Sequence, residues 1–460
     1  MDAPVGIAPE IFRAYDIRGI AGRNLTAEAV SWIGRAFAAE SLDRGFSQVA
    51  VGGDGRSSTG SLREALVSGL AAGGCDVIDV GVVPTPLLYY ATYALETQTG
   101  IMITGSHNPA EYNGLKMVIG GTVLSGGAIS NLRSRIERGD CPTRARGVVL
   151  SADVIESYMA RVEADVDLAR PLKIVMDSGN GVAGLVAPSL FERLGCEVVS
   201  LYADVDGSFP NHHPDPADPA NLDDLIAAVH AHGADMGVAF DGDADRLGVV
   251  TNSGRIIWPD RLMMLFARDI AVRNPGTDIV YDVKCSRHLG KVVAEAGGNP
   301  IMSRTGHSHI KARIRETGAL FGGEFSGHIC FGERWFGFDD AIYAGARLLE
   351  IAAARDCPLD DLFADFPVPC TTPEIKVPTS ESAKFRIIEE LSESADFGPG
   401  TVTRIDGLRV DYDDGFGLVR ASNTSPALTL RFEADDAGAL ARIRSTFGAQ
   451  LSAIDPALTF

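Results

Sequence analysis

The chain has 460 residues, which at about 150 per domain bounds it to roughly three domains and excludes a single small binding module. Hydrophobic residues make up 45% and charged residues 22%, close to globular averages, so a mainly disordered, collagen-like or membrane-embedded chain is excluded as well. The 61 Asp and Glu against 41 Lys and Arg leave a formal net charge of −20; nucleic acid and anionic membrane surfaces have no general electrostatic attraction for it, and any anionic ligand needs a local basic pocket. Cys75, Cys141, Cys196, Cys285, Cys330, Cys357 and Cys370 are odd in number and scattered, without a C-x-x-C pair, which reads as free thiols in a reducing cytosol. The first residues lack the basic and apolar regions of a signal peptide. The longest uncharged stretches, Val80 to Leu95 and Met117 to Leu132, fall short of the ~20 residues of a membrane helix. The expectation is a soluble cytoplasmic protein with no nucleic-acid or membrane partner. The sequence does not fix the oligomeric state, and a monomer is the simplest case.

In chain order, three apolar runs end in Asp: Gln48 to Asp54, Leu172 to Asp177 and Asp278 to Asp282. Each reads as a buried strand entering a loop. Helical stretches follow at Ser61 to Ala72, Ala183 to Leu194 and Ser286 to Ala296, then further apolar runs at Val77 to Val80, Val198 to Leu201 and Pro300 to Met302. A strand-helix-strand unit therefore occurs three times. Each copy is followed by another apolar run opening into a polar loop: IMITGSHNP from Ile101, MGVAFDGDADR from Met236 and LFGGEFSGH from Leu320. Three homologous α/β domains fit this echo. In open α/β sheets ligands sit outside the carboxyl ends of the strands, so the three loops are placed to converge on one cleft. After a proline cluster at Pro367, Pro369, Pro373 and Pro378, a helix near Ser382 to Leu391 and strands around Arg409, Leu418 and Leu428 read as a smaller α+β domain. It closes with a helix over Asp436 to Ala453 whose apolar face is Leu440, Ile443, Phe447 and Leu451.

In the first loop, Thr104-Gly-Ser-His-Asn-Pro109, Ser106 is a candidate nucleophile or phosphate carrier. Gly105 would let the backbone turn and leave the hydroxyl exposed; an ordinary turn is the alternative. No G-x-S-x-G elbow is present, so a hydrolase triad is not indicated. His107 and Lys116 lie nearby in sequence as positive charge for a phosphate. In the second loop, Asp241, Asp243 and Asp245 alternate on a strand end and can offer oxygen ligands to one hard cation, most simply Mg²⁺. Packed this closely they repel strongly without a cation; a solvated acidic turn is the alternative. Arg246 and Asn252 stand where an EF-hand needs its Gly and bidentate Glu, so calcium sensing fits poorly.

The third loop, Gly323-Glu-Phe-Ser-Gly-His328, offers a carboxylate, a hydroxyl and an imidazole suited to sugar hydroxyls, or forms a polar turn. Arg420-Ala-Ser-Asn-Thr-Ser425 sets a guanidinium beside hydroxyls and an amide, a match for phosphate acceptors, or a surface turn. His212 and His213 read as loop residues. His307 and His309 can share a face, without a visible third metal ligand. Gly179, Gly181 and Gly184 spell G-x-G-x-x-G after a strand, a weak dinucleotide signal for which tight packing is the alternative.

In this order, TGSHNP, DGDADR, GEFSGH and RASNTSP resemble the α-D-phosphohexomutases, on the mannose/glucose branch. The likeness spans essentially the whole chain, including FRAYDIRG near the start and GERWFGFDD after the third loop. The resemblance implies three homologous mixed α/β domains plus a smaller α+β C-terminal domain around a central cleft. The expected boundaries are 1–150 for a phosphoserine domain, 151–253 metal-binding, 254–366 sugar-binding and 367–460 phosphate-binding. It implies that Ser106 carries a phosphoryl group and that Asp241, Asp243 and Asp245 hold Mg²⁺ with that phosphate. Glu324 and Ser326 would contact sugar hydroxyls, and Arg420, Ser422, Asn423 and Thr424 the non-reacting phosphate. Tyr15, Arg18, Lys116, Arg246, Lys284, His307 and His328 would line the cleft, with Ser106, His107, Lys116, Arg246 and His307 as the catalytic set.

The implied reaction interconverts hexose 1-phosphate and hexose 6-phosphate through a hexose 1,6-bisphosphate, which also serves as activator. Ala244 departs from the family's usual Gly and removes no ligand. Other readings are an amino-sugar phosphomutase, a non-catalytic Mg²⁺-dependent sugar-phosphate binder, or, from the glycine run alone, a dinucleotide-dependent oxidoreductase.

Overall fold

The computed structural model describes residues 7–142, 144–423 and 425–460. The threefold echo is a threefold topology. Strand Gln48–Gly53 lies between Asp76–Val82 and Gly100–Ile103, parallel to both. Strand Lys173–Asp177 lies in the same way between Glu197–Leu201 and Met236–Phe240. Strand Asp278–Asp282 lies between Asn299–Ser303 and Phe321–Gly323. Parallel strands covered on both faces need near-continuous apolar runs, which is why these segments carry no alternation. Helices Thr59–Ala72 and Arg287–Glu295 make two of the crossovers. In the first two copies the next strand, Tyr112–Ile119 or Leu247–Thr251, returns antiparallel beside the third and makes the sheet mixed.

One helix differs from expectation. The segment from Ala183 to Leu194 is broken into a 3₁₀ turn, Val182–Leu185, and a short helix, Ala187–Arg193. Pro188 is the cause: without an N–H it fits the first turn of a helix but not its interior.

Two compact units contain these elements, one formed by the chain up to Pro259 with Ser326–Leu362, the other by Asp260–Phe325 with Phe363–Phe460. The segment 254–366 thus contributes to both. The second unit includes an antiparallel sheet in which Ala427–Ala434 pairs with Gly415–Ala421, then Leu408–Tyr412, then Thr401–Thr403. Helix Ala437–Ile454 packs on it, started by the Asp436 side chain, which accepts the Ala439 amide at 2.9 Å. Ile443, Phe447 and Leu451 are fully buried and Leu440 partly so. Gly417 makes room for Phe447, since a Cβ there would stand 2.3 Å from its ring. All seven cysteines are free thiols. Among the described residues no helix is long and apolar enough to cross a membrane.

Phe447 also packs at a tilt against Phe397 and edge-on against Phe432, with ring centroids at 4.6 and 5.3 Å. Phe447→Ala should cost about 3–5 kcal/mol of folding stability, measured by urea unfolding of the second unit's tertiary signal. A loss under about 1 kcal/mol would mean this ring does not anchor the helix.

Candidate active site

The serine loop is held by buried charge. Ser106 has φ +48°, a left-handed conformation that costs a non-glycine residue about 1–3 kcal/mol and persists only where the surroundings over-determine it. Buried Arg56 does so: its Nη2 donates to the carbonyls of Ser106 and Asn108, both at 2.6 Å. Its Nη1 donates to those of Pro109 at 2.5 Å and Tyr112 at 3.0 Å. Asp54 accepts Arg56 Nε at 3.1 Å and the Gly105 amide at 3.0 Å. Arg18 Nη1 reaches the Gly105 carbonyl at 2.7 Å and also Asn108 Oδ1.

Two expectations are corrected here. The left-handed residue is Ser106, and Gly105 is needed because a Cβ there would sit 2.3 Å from the Arg56 guanidinium carbon. The hydroxyl is not exposed: Ser106 is 2% accessible, and its Oγ donates to Asp241 Oδ2 at 2.8 Å.

Asp241, Asp243 and Asp245 are all fully buried, with one oxygen of each within 4.8 Å of the others. Asp241 Oδ1 accepts the amides of Asp245 and Arg246 at 3.0 and 3.1 Å, closing the loop on itself. Asp243 Oδ2 takes Thr85 Oγ1 at 2.5 Å and Lys116 Nζ at 2.7 Å, and Lys116 also pairs with Asp245. Burial acts to raise the Asp243 carboxyl, but the charge and hydrogen bond of Lys116 together with the hydrogen bonds of Thr85 and Asp241 outweigh it and hold it below the usual range. Burial opposes the Lys116 charge too, yet Asp243 and Asp245 keep it firmly protonated.

Asp241 is pushed well above the ordinary carboxylate range by burial and then by Asp243 and Asp245, a cost that a bound dication removes. Asp243 Oδ1 is buried and accepts no hydrogen bond among the described residues. An all-oxygen donor set with such an oxygen fits a hard cation. Ala244 takes φ +62° inside this loop, strained for a residue with a Cβ.

The histidines fall into different roles. Burial, then Arg246 and Arg18, hold the His107 pKa well below its ordinary value, so it is a neutral ring 3.2 Å from Ser106 Oγ rather than the positive charge expected. Arg246 Nε donates to His328 Nε2 at 3.1 Å, which leaves the ring proton on Nδ1. That Nδ1 lies 3.0 Å from Asp339 Oδ2 and 3.4 Å from Asp245 Oδ1. His307 and His309 open the helix His307–Thr317; two residues apart on a helix, they do not share a face. Tyr15 and Ser326 are half-buried.

In the second unit, Glu324 Oε1 accepts the Gly306 amide beside His307. Arg420 Nε donates to Asp406 Oδ2 at 2.9 Å, and the same carboxylate oxygen takes the Thr305 amide at 3.1 Å, so strand Gly415–Ala421 and the turn at Thr305 share one anchor. Lys284 pairs with Glu374 at 3.4 Å; burial opposes its charge, but Glu374, Asp282 and Glu324 raise its pKa. The Ser422 carbonyl accepts Lys384 Nζ at 2.7 Å. Asn423 is half-buried beside it, and Thr424 lies outside the described residues.

Sequence reasoning missed Arg56, Thr85, Asp339, Lys384 and Asp406, whose hydrogen bonds and ion pairs hold the expected residues in place. The signal for Arg56 was charge directly after a buried strand in GGDGR, and for Asp339 the paired carboxylates of GFDD. The GNGVAG glycines serve packing: a Cβ at Gly181 would stand 2.8 Å from the Gly242 carbonyl of the aspartate loop, and one at Gly184 1.9 Å from the Ala203 carbonyl.

Lys116→Ala would leave three buried carboxylates short of a counter-charge, a loss of about 3–5 kcal/mol. The thermal midpoint of the variant should fall sharply in EDTA and recover with Mg²⁺ more than the wild type's does. Equal shifts in both proteins would contradict the assignment of Lys116 as the counter-charge.

Comparison with known proteins places the chain. Models of the phosphoglucomutase/phosphomannomutase α/β/α domains I, II and III match residues 9–141, 155–254 and 258–369, and the C-terminal domain model matches 374–449. The chain is 55% identical to a phosphomannomutase/phosphoglucomutase of Pseudomonas aeruginosa, over 97% of this chain and 96% of the relative. It is 50% identical to a phosphoglucomutase of Neisseria gonorrhoeae, over 96% and 97%. A crystal structure of a phosphoglucomutase/phosphomannomutase family protein from Burkholderia thailandensis matches with a TM-score of 0.94 and 49% identity, covering 99% of each chain. The chain belongs to the phosphoglucomutase/phosphomannomutase family.

Proposed function

We propose that the chain is a phosphomannomutase/phosphoglucomutase, an isomerase that interconverts hexose 1-phosphate and hexose 6-phosphate of mannose and glucose. The observation that carries this reading is the Ser106 hydroxyl, fixed on a strained loop and hydrogen-bonded at 2.8 Å to the buried carboxylate of Asp241. A serine so placed is ready to exchange a phosphoryl group at one defined point.

In the first half-reaction the bond from phosphorus to Ser106 Oγ breaks and one to the sugar hydroxyl oxygen forms, the hydroxyl giving up its proton and Ser106 Oγ taking one up, giving hexose 1,6-bisphosphate. The sugar then turns over and returns its other phosphate to Ser106. Lys116, kept protonated by Asp243 and Asp245, is suited to hold or give a proton at the reacting oxygen, and Arg246, oriented by His328, to face the transferred group. Asp241, Asp243 and Asp245, with the Ser106 phosphate, would hold Mg²⁺, which when bound offsets charge on the transferred group. His307 is the second candidate for the proton and His107 a neutral neighbour of the serine.

Arg420, Ser422, Asn423 and Thr424 would grip the non-reacting phosphate, and Glu324 and Ser326 the sugar hydroxyls, with Tyr15, Arg18, Lys284 and His328 completing the lining. The serine, metal, sugar and phosphate functions are assigned to 1–150, 151–253, 254–366 and 367–460. Small hexose phosphates are the partners, and hexose 1,6-bisphosphate the activator. The acidic chain and its free thiols support a cytoplasmic location without nucleic-acid or membrane binding.

With Mg²⁺ and a trace of glucose 1,6-bisphosphate, the wild type should convert both mannose 1-phosphate and glucose 1-phosphate, while Ser106→Ala falls by at least about a thousandfold. Conversion of glucosamine phosphates alone would select the amino-sugar reading, and binding without turnover the non-catalytic one. Because each phosphate must occupy the same grip in turn, Arg420→Ala should slow both half-reactions in single-turnover assays. Loss of only one would count against a shared grip.

A further inference from the structure

The residues assigned to phosphoryl transfer and ligand binding do not include Arg431, a buried charge of the second unit. It stands on strand Ala427–Ala434 and is 3% accessible. Burial opposes its charge, but Asp260 and Glu433 beside it raise its pKa. Its Nη2 donates to Asp260 Oδ2 at 2.9 Å and its Nη1 to the Lys284 carbonyl. Its guanidinium carbon lies 3.6 Å from the centroid of the Phe325 ring. A guanidinium laid on a ring keeps its N–H groups free for bonds in its own plane, so one side chain serves all three partners.

Those partners belong to two loops. Phe325 stands between Glu324 and Ser326, its amide donates to Asp282 Oδ1 at 3.2 Å, and Lys284 Nζ lies 5.7 Å from its ring centroid. Asp260 Oδ2, which receives Arg431, also accepts the Ser286 amide at 3.0 Å. Glu433, two residues further along the strand and on the same face, accepts Ser286 Oγ at 3.0 Å and the Arg287 amide at 3.2 Å. Residues 284–287 are therefore fixed from the C-terminal sheet, and the Phe325 ring is fixed by the same guanidinium. A buried ion pair often adds no stability over apolar residues of its volume. What Arg431 adds is direction, since a planar fork sets a carbonyl, a carboxylate and a ring at once.

We propose that Arg431 is a positioning residue that acts through Phe325 and the Lys284 backbone to set Glu324 and Lys284 for the sugar phosphate. This rests on the phosphohexomutase reading of the same site.

The test is steady-state kinetics of the full chain with glucose 1-phosphate, Mg²⁺ and a trace of glucose 1,6-bisphosphate. Arg431→Lys keeps the charge beside Asp260 and loses the planar fork. Phe325→Leu removes the ring and leaves every buried charge in place. Each should raise KM at least about tenfold while kcat changes less than about threefold, the pattern of lost ground-state binding. Because both act through one contact, the double variant should be no worse than the poorer single variant. An unchanged KM in either single variant, a fall confined to kcat, or KM effects that multiply in the double variant would overturn the proposal. Should Arg431→Lys fail to fold, the KM of Phe325→Leu decides alone. A wild type without turnover would remove the mutase reading instead; calorimetric binding of glucose 1-phosphate to the same proteins then reads the positioning, with the same loss expected. A wild type that neither turns over nor binds glucose 1-phosphate would overturn both.

Discussion

Three carboxylates within 4.8 Å of one another and out of reach of water are the constraint around which the first unit is organised. Their mutual repulsion in a low-dielectric interior is tolerable only beside fixed positive charge. Lys116 supplies it from strand Tyr112–Ile119 of the first sheet, and Thr85 holds the same oxygen of Asp243 from the start of helix Thr85–Ala94. The opposing demand is satisfied at Asp241, where Ser106 and two backbone amides donate into the carboxylate. The serine is thus part of the carboxylate network, and its strained backbone is held by a second buried pair, Arg56 with Asp54. Electrostatics that would destabilise an ordinary core here determine where the hydroxyl points.

The threefold repeat was legible because the physics that makes it is local. A strand buried on both faces must be an apolar run, and a parallel neighbour must come after a crossover. The runs ending at Asp54, Asp177 and Asp282 displayed both. What the runs did not display is why each ends in Asp. Asp54 accepts the Gly105 amide, Asp177 accepts the Gly179 amide and contacts His212, and Asp282 accepts the Phe325 amide. The terminal Asp of each run thus ties down strand-end loops by accepting their amides. The break at Pro188 is local as well: its missing amide and ring confine it to the first turn of helix Ala187–Arg193.

The candidate site was legible in its polar strand-end residues and opaque in their supports. Ser106, Asp241, Asp243 and Asp245 stand in polar loops after apolar strands, and Arg420 near the end of such a strand, where composition betrays them. Arg56, Lys384 and Asp406 act through contacts 50, 38 and 14 residues away in sequence, and no spacing rule reaches that far. The protonation of His107 was likewise unreadable, because it depends on burial and on Arg246 and Arg18 brought in by folding. The same limit produced the mistaken view of Gly105, whose reason is the guanidinium pressed against it.

The most direct measurement is peptide mass spectrometry of the intact enzyme after incubation with glucose 1,6-bisphosphate and Mg²⁺. The expected result is one added phosphoryl group, located on Ser106, reversed by excess hexose phosphate and lost in Asp241→Asn. Phosphorylation at another residue, or interconversion of hexose phosphates with Ser106 never modified, would contradict the central claim that this buried serine carries the transferred group.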